Sequence, residues 1–254
     1  MLESLQILHD PWFYVAAIPV VFITGMSKGG FGPGTGLLAL PLLSLVVPPL
    51  QAAAITLPVL CAMDLAGLWS YRKTWDRTNM AIILPGALLG VLVGTLTAGW
   101  VSNRGVEIII GAVAVAFVLH KWLGRQSPQA APPQIGRGLF WSGLSGFTSF
   151  IAHAGGPPLS VYLLPQRMDK TLFVGTNVIF FAVINYVKLV PYAWLGQFSS
   201  VNLGTSLILM PIAVVGVYIG IWLHKFVDEA LFYRIIYGLI LACGVKLLAD
   251  GLGL

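Results

Sequence analysis

Long apolar runs alternate along the chain with short polar segments and with breaks rich in glycine and proline. Runs such as 79–103 and 171–187 carry no charged residue and reach or approach the ~20 residues that span a bilayer core. The pattern predicts an all-α polytopic membrane protein. The predicted helical segments are 12–27, 35–47, 51–70, 79–101, 105–122, 138–152, 157–165, 171–194, 203–224 and 229–249.

Glycines and prolines recur in the two halves of the chain at a constant spacing of 126 residues. The matched sets are Gly29-Gly30 with Gly155-Gly156, Pro85 with Pro211, Gly90 with Gly216, and Gly94 with Gly220. Helix-breaking segments at corresponding places in two halves point to a binding site near the bilayer midplane. We therefore predict two membrane repeats, 1–122 and 138–254, joined by a polar, proline-rich cytoplasmic linker at 123–137.

Composition narrows the class of protein. The chain is 57% hydrophobic and 9% charged, with a mean hydropathy of +0.89, which lies well outside soluble usage. The net charge of +5 comes from a few short loops, so it indicates membrane topology and no nucleic-acid partner. The two cysteines, Cys61 and Cys243, lie in different apolar segments and predict neither a disulfide nor a metal site. No nucleotide-binding or catalytic motif is present, so neither an enzyme nor a cofactor is expected.

The basic loops predict an orientation. Lysine and arginine cluster at 72–77, at 121–137, at 167–170 and at Lys225, and the positive-inside rule places all four loops in the cytoplasm. Both termini then lie outside. We expect a multi-pass protein of the cell inner (cytoplasmic) membrane.

This orientation gives each half the same plan. Residues 138–165 enter the membrane from the cytoplasm and return there as a hairpin, and 12–47 do so from outside. Each repeat is then a broken-helix hairpin plus three transmembrane helices, and the two repeats are inverted. A fully crossing first helix is the alternative.

The hairpin tips, 25–35 and 149–159, are rich in small and kinking residues. Helix starts at such tips present unpaired N–H groups and a partial positive charge, which suit an anion. The other interpretation is that the glycines allow close helix packing. We favour the anion site for the double glycines. For Gly86, Gly90, Gly94, Gly216 and Gly220 we favour packing.

Ionisable residues within apolar segments are costly and therefore candidates for function. Lys28 is either an anion contact or a snorkelling lysine, and Lys188 has the same two interpretations. Asp64 either pairs with Lys28 or titrates during transport, which makes it the candidate coupling residue. His153 either donates to substrate or is a satisfied core histidine. The predicted substrate-binding residues are Lys28, Gly29, Gly30, Gly34, Thr35, His153, Gly155, Gly156, Asn177, Asn185 and Lys188, with no metal ligand or catalytic residue.

Three segments carry a resemblance to a known family: GMSKGGFGPGTGLLALPLL at 25–43, PLQAAAITLPVLCAMDLAGLWSYRKTWD at 49–76, and GLSGFTSFIAHAGGPPLSVYLLPQRMDKTLFVGTN at 143–177. The chain resembles the TauE/SafE family of sulfite and organosulfonate exporter-type permeases. The resemblance implies duplicated halves and a substrate such as sulfite, sulfoacetate, a related sulfonate or a mercapto acid.

The expected function is a secondary transporter that works by alternating access around a midplane anion site. Its expected partners are the small organic anion, protons and the lipid bilayer. An anion channel and a non-transporting membrane scaffold or subunit are the alternatives. Import or export, the coupling ion and the oligomeric state stay open.

Overall fold

A computed structural model describes residues 7–30, 39–100, 102–123, 130–226 and 229–253. Every regular element in these ranges is helical, which confirms the predicted all-α class. The helices are α1 (Pro11–Gly30), α2 (Ala39–Leu43), α3 (Pro49–Tyr71), α4 (Arg77–Thr97), α5 (Asn103–Leu123), α6 (Ile135–Ala152), α7 (Gly156–Leu163), α8 (Lys170–Trp194), α9 (Ser200–Leu223) and α10 (Glu229–Leu252).

Five of the described helices are long and apolar enough to cross a membrane, namely α1, α3, α4, α8 and α9. The chain is therefore a multi-pass membrane protein. The prediction that the first helix stops near residue 27 is wrong, since α1 continues to Gly30 and is 20 residues long. Its length suits the alternative of a fully crossing first helix.

Polar residues fix where two of the long helices begin. The Asp76 side chain accepts a hydrogen bond from the backbone N–H of Asn79 and caps α4. Asp169 caps α8 by accepting from the N–H groups of Thr171 and Leu172. Such caps satisfy backbone donors that the first helical turn leaves unpaired.

The first helix of each half packs against a helix of the other half. Helix α1 lies along α9, and α6 lies along α4. A Cβ atom at Gly90 would overlap the carbonyl oxygen of Gly143, and one at Gly216 would lie 2.5 Å from the carbonyl oxygen of Phe22. The backbones approach this closely only because side chains are missing at these positions. The packing interpretation is confirmed for all five glycines of α4 and α9 for which we favoured it.

Helices α3 and α8 form an antiparallel pair at the centre. Tyr71, at the end of α3, packs on Val174 and Val178 near the start of α8. Further along the pair, the Tyr186 hydroxyl donates to the carbonyl oxygen of Cys61 over 3.3 Å. Most of α3 is buried, so polar groups on its inner face lie in the protein interior.

Two tyrosines make the same contact in each half. The Tyr71 hydroxyl donates to the carbonyl oxygen of Gly29 at the end of α1, over 2.7 Å. The Tyr192 hydroxyl donates to the carbonyl oxygen of Phe150 near the end of α6, also over 2.7 Å. Both pairs of equivalent residues are 121 positions apart.

The spacing of 121 corrects one predicted correspondence. It matches α1 with α6 and α3 with α8, so the position equivalent to Gly29 is Phe150 and not Gly155. Gly29-Gly30 ends α1, whereas Gly155-Gly156 begins α7. The spacing of 126 holds for α4 and α9, whose glycines receive equivalent turns of α6 and α1.

Candidate functional site

Six polar side chains form two neighbouring clusters along α8 and its neighbours, which together we call the buried polar chain. Asp64 and Lys188 are fully buried, Asn185, Ser149 and His153 are also buried, and the Lys28 side chain is 13% exposed. Ionisable groups at such depth are expensive unless they are paired or used in function. The buried polar chain is therefore the candidate site. Its members are Lys28, Asp64, Asn185, Lys188, Ser149 and His153.

The first part of the chain, the Asp64 cluster, consists of Lys28, Asp64 and Asn185. Lys28 Nζ lies 2.6 Å from Asp64 Oδ1 and also donates to the carbonyl oxygen of Leu60 over 3.5 Å. Asn185 Nδ2 donates to Asp64 Oδ2 over 2.7 Å. Each carboxylate oxygen thus has its own partner, and the ion pair is neutral as a unit. The structure confirms the predicted pairing of Lys28 with Asp64.

Asp64 and Asn185 are themselves equivalent residues of α3 and α8, being 121 positions apart. A contact between equivalent residues lies where the two halves meet. The Asp64 cluster therefore joins the two halves of the chain.

The second part, the Lys188 cluster, consists of Lys188, Ser149 and His153. Lys188 Nζ lies 2.9 Å from the carbonyl oxygen of Ser149, 3.0 Å from its hydroxyl and 2.9 Å from His153 Nδ1. All three partners are neutral groups. Lys188 does not snorkel, although its position near Pro191 had left that alternative open.

The tautomer of His153 follows from its partners. His153 Nε2 lies 2.9 Å from the carbonyl oxygen of Ala53, and a carbonyl can only accept, so Nε2 carries the proton. His153 Nδ1 is then the acceptor for Lys188. Since both ring nitrogens have partners, His153 fits the interpretation of a satisfied histidine in this conformation.

The two clusters lie on adjacent turns of α8. Asn185 and Lys188 are three residues apart, which puts them on one face with a rise of about 4.5 Å. With both amines protonated, the chain holds two cations, Lys28 and Lys188, against the single carboxylate of Asp64. In that protonation state the site has an excess of one positive charge.

The start of α7 lies beside the Lys188 cluster, because Gly155 follows His153 closely in the chain. It presents fewer donors than the sequence led us to expect, since Pro157 and Pro158 have no N–H. The N–H groups of Gly155 and Gly156 remain. A Cβ atom at Gly155 would lie 2.7 Å from the carbonyl oxygen of Ser145, so this backbone is tightly packed.

Other predicted site residues make contacts outside the buried polar chain or lie outside the described ranges. Gly29 and Gly30 pack against α9, where added Cβ atoms would overlap the carbonyl oxygens of Val217 and Gly220. Asn177 donates to Phe173 within α8, about 12 Å along the helix from Asn185 at 1.5 Å per residue. Gly34 and Thr35 lie outside the residues that the structure describes.

Three groups in or beside the site are absent from the predicted binding residues: the Ser149 side chain, the Ala53 carbonyl oxygen and the Thr24 hydroxyl. The carbonyl oxygen of Ala53 fixes the histidine tautomer, and no sequence pattern marks a backbone acceptor. Thr24 lies on the same face of α1 as Lys28, four residues earlier, and its buried hydroxyl has no hydrogen-bond partner among the described residues. The i, i+4 spacing of Thr24 and Lys28 was a signal that could have been read.

Comparison with known proteins adds one match. The family model of the sulfite exporter TauE/SafE matches residues 17–247, a range that contains the whole buried polar chain. No curated protein and no solved structure matches the chain.

Proposed function

This chain belongs to the sulfite exporter TauE/SafE family, and on that premise we propose that it is a secondary transporter working by alternating access. The family is one of membrane transporters of sulfur anions and not of enzymes. The proposed substrates are sulfite, sulfoacetate and related sulfonates or mercapto acids. The proposed location is the cytoplasmic membrane, with the basic loops facing the cytoplasm.

One observation carries the proposed anion site. Lys188 is fully buried, yet its described partners are neutral groups. A buried ammonium without a counter-charge is costly. A bound anion would supply that charge, and a sulfonate has three oxygens with which to accept hydrogen bonds.

The neighbours of Lys188 suit the same ligand. The Ser149 hydroxyl can turn its hydrogen toward an anion, and the N–H groups of Gly155 and Gly156 lie at the start of α7 in the same segment. The Asp64 cluster is already neutral, so it does not compete with the ligand for Lys188. We therefore assign the anion site to Lys188 and Ser149, with His153 as the residue that positions the lysine.

Helix packing supports alternating access. The glycine-packed pairs α1–α9 and α4–α6 each join the two halves, and the central α3–α8 pair runs between them with the buried polar chain. An inverted arrangement of the two repeats accounts for the antiparallel direction of α3 and α8. In this scheme the packed pairs move as units around the fixed central site.

Binding titrations test the site. Purified wild-type protein is titrated with sulfite, sulfoacetate, taurine and a mercapto acid, and the tightest ligand is then measured on Lys188→Met. Loss of a charge-assisted hydrogen bond, at about 1.5–3 kcal/mol, should weaken binding by ~10- to 150-fold.

Lys246→Met is the matched control. Lys246 also lies on a long apolar helix, but it is exposed and pairs with Asp250 at 2.6 Å. Its variant should bind like wild type. Equal affinity of folded Lys188→Met and wild type would refute the assigned site.

Counterflow in proteoliposomes separates the alternatives. A carrier exchanges labelled internal anion for external anion, whereas a channel lets the label run down its gradient without trans-stimulation. A scaffold would neither bind nor move the anion. Asp64 as a coupling residue stays a prediction, which Asp64→Asn tests through loss of gradient-driven accumulation with exchange retained.

A further inference from the structure

We propose that Lys188 carries one proton together with each substrate anion, so that its Nζ is an ammonium when the anion is bound and a neutral amine when the site is empty. The inference rests on the proposed function, because it concerns the lysine of the proposed anion site. It differs from the sequence-based prediction, which gave the coupling role to Asp64.

The geometry around Nζ satisfies both protonation states. An ammonium donates three hydrogen bonds, and three acceptors are present: the Ser149 carbonyl oxygen, the Ser149 hydroxyl oxygen and His153 Nδ1. A neutral amine has two donors and one lone pair. It can donate to the Ser149 carbonyl and to His153 while it accepts from the Ser149 hydroxyl, which rotates freely between the two roles.

The fixed partners explain why the hydroxyl is the group that reverses. The Ser149 carbonyl can only accept. His153 Nδ1 can only accept while Nε2 keeps its proton on the Ala53 carbonyl. The serine hydroxyl is thus the one partner of Nζ that can change from acceptor to donor without moving a heavy atom.

Charge balance explains why Lys188 would bind and release a proton in each transport cycle. The Asp64 carboxylate is held by Lys28 at 2.6 Å and by Asn185 at 2.7 Å, so it is already balanced by Lys28. An empty carrier with a protonated Lys188 would carry an uncompensated buried charge through its return step. Release of the anion together with the proton avoids this cost.

The ionisable groups that face Lys188 from the surrounding helices agree with this assignment. They are Lys28 from α1, Cys61 and Asp64 from α3, and His153 from the segment between α6 and α7, with Tyr186 beside Cys61 and Tyr192 beside His153. Asp64 and Lys28 cancel each other, and the Tyr186 and Tyr192 hydroxyls donate to backbone carbonyls. Lys188 is the group of this set whose charge has no partner.

The proton step is simple. When the site is open to one side, the lone pair of the Lys188 amine takes a proton from a hydronium ion, whose O–H bond breaks to leave water, and the resulting ammonium binds the anion. On the other side the anion leaves and the ammonium returns its proton to water. That water becomes hydronium, so an O–H bond forms as the N–H bond breaks, and no other covalent bond changes.

Calorimetric titration measures the proton directly. Sulfoacetate is titrated into purified protein between about pH 6 and pH 9 in two buffers of different ionisation enthalpy, which gives the number of protons taken up per anion bound. We expect wild type to take up about one proton per sulfoacetate at the alkaline end, where its affinity falls about tenfold per pH unit.

Three variants show which residue takes up the proton. Lys188→Arg keeps a permanent charge, so it should bind sulfoacetate with a flat pH dependence and without proton uptake. His153→Gln keeps a donor for the Ala53 carbonyl and an acceptor for Nζ but cannot hold a proton, so uptake should persist. Lys246→Arg, the exposed control, should behave like wild type.

The outcomes separate the two proposals. Binding by wild type with no proton uptake at any pH overturns the inference and leaves the proposed function intact, and so does unchanged uptake in Lys188→Arg. Uptake lost in His153→Gln with binding retained would assign the proton to the histidine and overturn the inference. If wild type binds neither sulfoacetate nor sulfite, the proposed function fails, and the inference fails with it.

Discussion

Lys28 and Lys188 lie in the same helical core but are stabilised in different ways. Lys28 has a carboxylate 2.6 Å away and a partly exposed side chain, whereas Lys188 is fully buried among neutral acceptors. The first arrangement is a completed ion pair between the two halves of the chain. In the second, one turn along α8, the described partners of the amine are neutral acceptors. The contrast shows that two neighbouring clusters of one helical core can have unequal chemistry, since one is a completed ion pair between the two halves and the other, as we propose, needs a ligand to complete it.

The largest expected effect comes from breaking the completed pair. Lys28→Met would leave the buried Asp64 carboxylate without a cation, which costs about 3–5 kcal/mol of the free energy of unfolding. Lys188→Met leaves behind neutral acceptors only, at about 1–3 kcal/mol. Thermal unfolding in detergent should therefore rank Lys28→Met well below Lys188→Met.

A double variant supplies the control for this ranking. Lys28→Met with Asp64→Asn removes both charges and should recover much of the lost stability. If Lys188→Met is as destabilising as Lys28→Met, then Lys188 has a counter-charge and the contrast between the two clusters is false.

The next effect tests whether the two halves are equivalent where they pack. Gly90→Ala and Gly216→Ala each push a methyl group into a backbone carbonyl of the opposite half, and each should cost about 1–3 kcal/mol by overpacking. The measurement is again thermal unfolding in detergent. Gly136→Ala, where a Cβ would meet nothing within 4 Å, is the control and should be neutral or slightly stabilising.

Unequal stability losses in Gly90→Ala and Gly216→Ala would change the comparison of the two packed helix pairs. A large cost at Gly90 with none at Gly216 would mean that the α1–α9 contact yields where the α4–α6 contact does not. The two packed pairs would then differ in rigidity, and the scheme in which both move as units would be wrong.

Much of the fold could be predicted because membrane helices are limited by length and polarity. Charge-free runs of about 20 residues located α3, α4, α8 and α9 to within a few residues of their observed ends. The end of α1 was misplaced because Gly29 and Gly30 were taken as a break in the helix. Glycine is tolerated in a membrane helix when a neighbour packs against it, and α9 does so here.

The charged members of the site could be predicted from the sequence, but which of them pair with each other could not. Burying a charge in an apolar segment costs free energy and is therefore rare, and this alone marks Lys28, Asp64 and Lys188 as candidates for function. Which lysine takes the carboxylate depends on how α1, α3 and α8 meet, and that is a matter of tertiary packing. The Ala53 carbonyl shows the same limit, since a backbone acceptor has no signature in the sequence.

The smallest expected effect concerns the two tyrosine contacts that define the spacing of 121 residues. Tyr71 and Tyr192 are both 5% exposed, and their hydroxyls each donate to a carbonyl oxygen over 2.7 Å, at Gly29 and Phe150 respectively. Because the two contacts have the same length, burial and chemistry, Tyr71→Phe and Tyr192→Phe should each cost about 1 kcal/mol. Tyr218→Phe, at a side chain that is 53% exposed, should leave the unfolding temperature unchanged. Losses in stability of similar size would support the correspondence of α1 with α6 and of α3 with α8. A clear loss at one tyrosine and none at the other would mean that the ends of the two hairpins are held differently, and that the asymmetry of the buried polar chain extends to the helices that carry it.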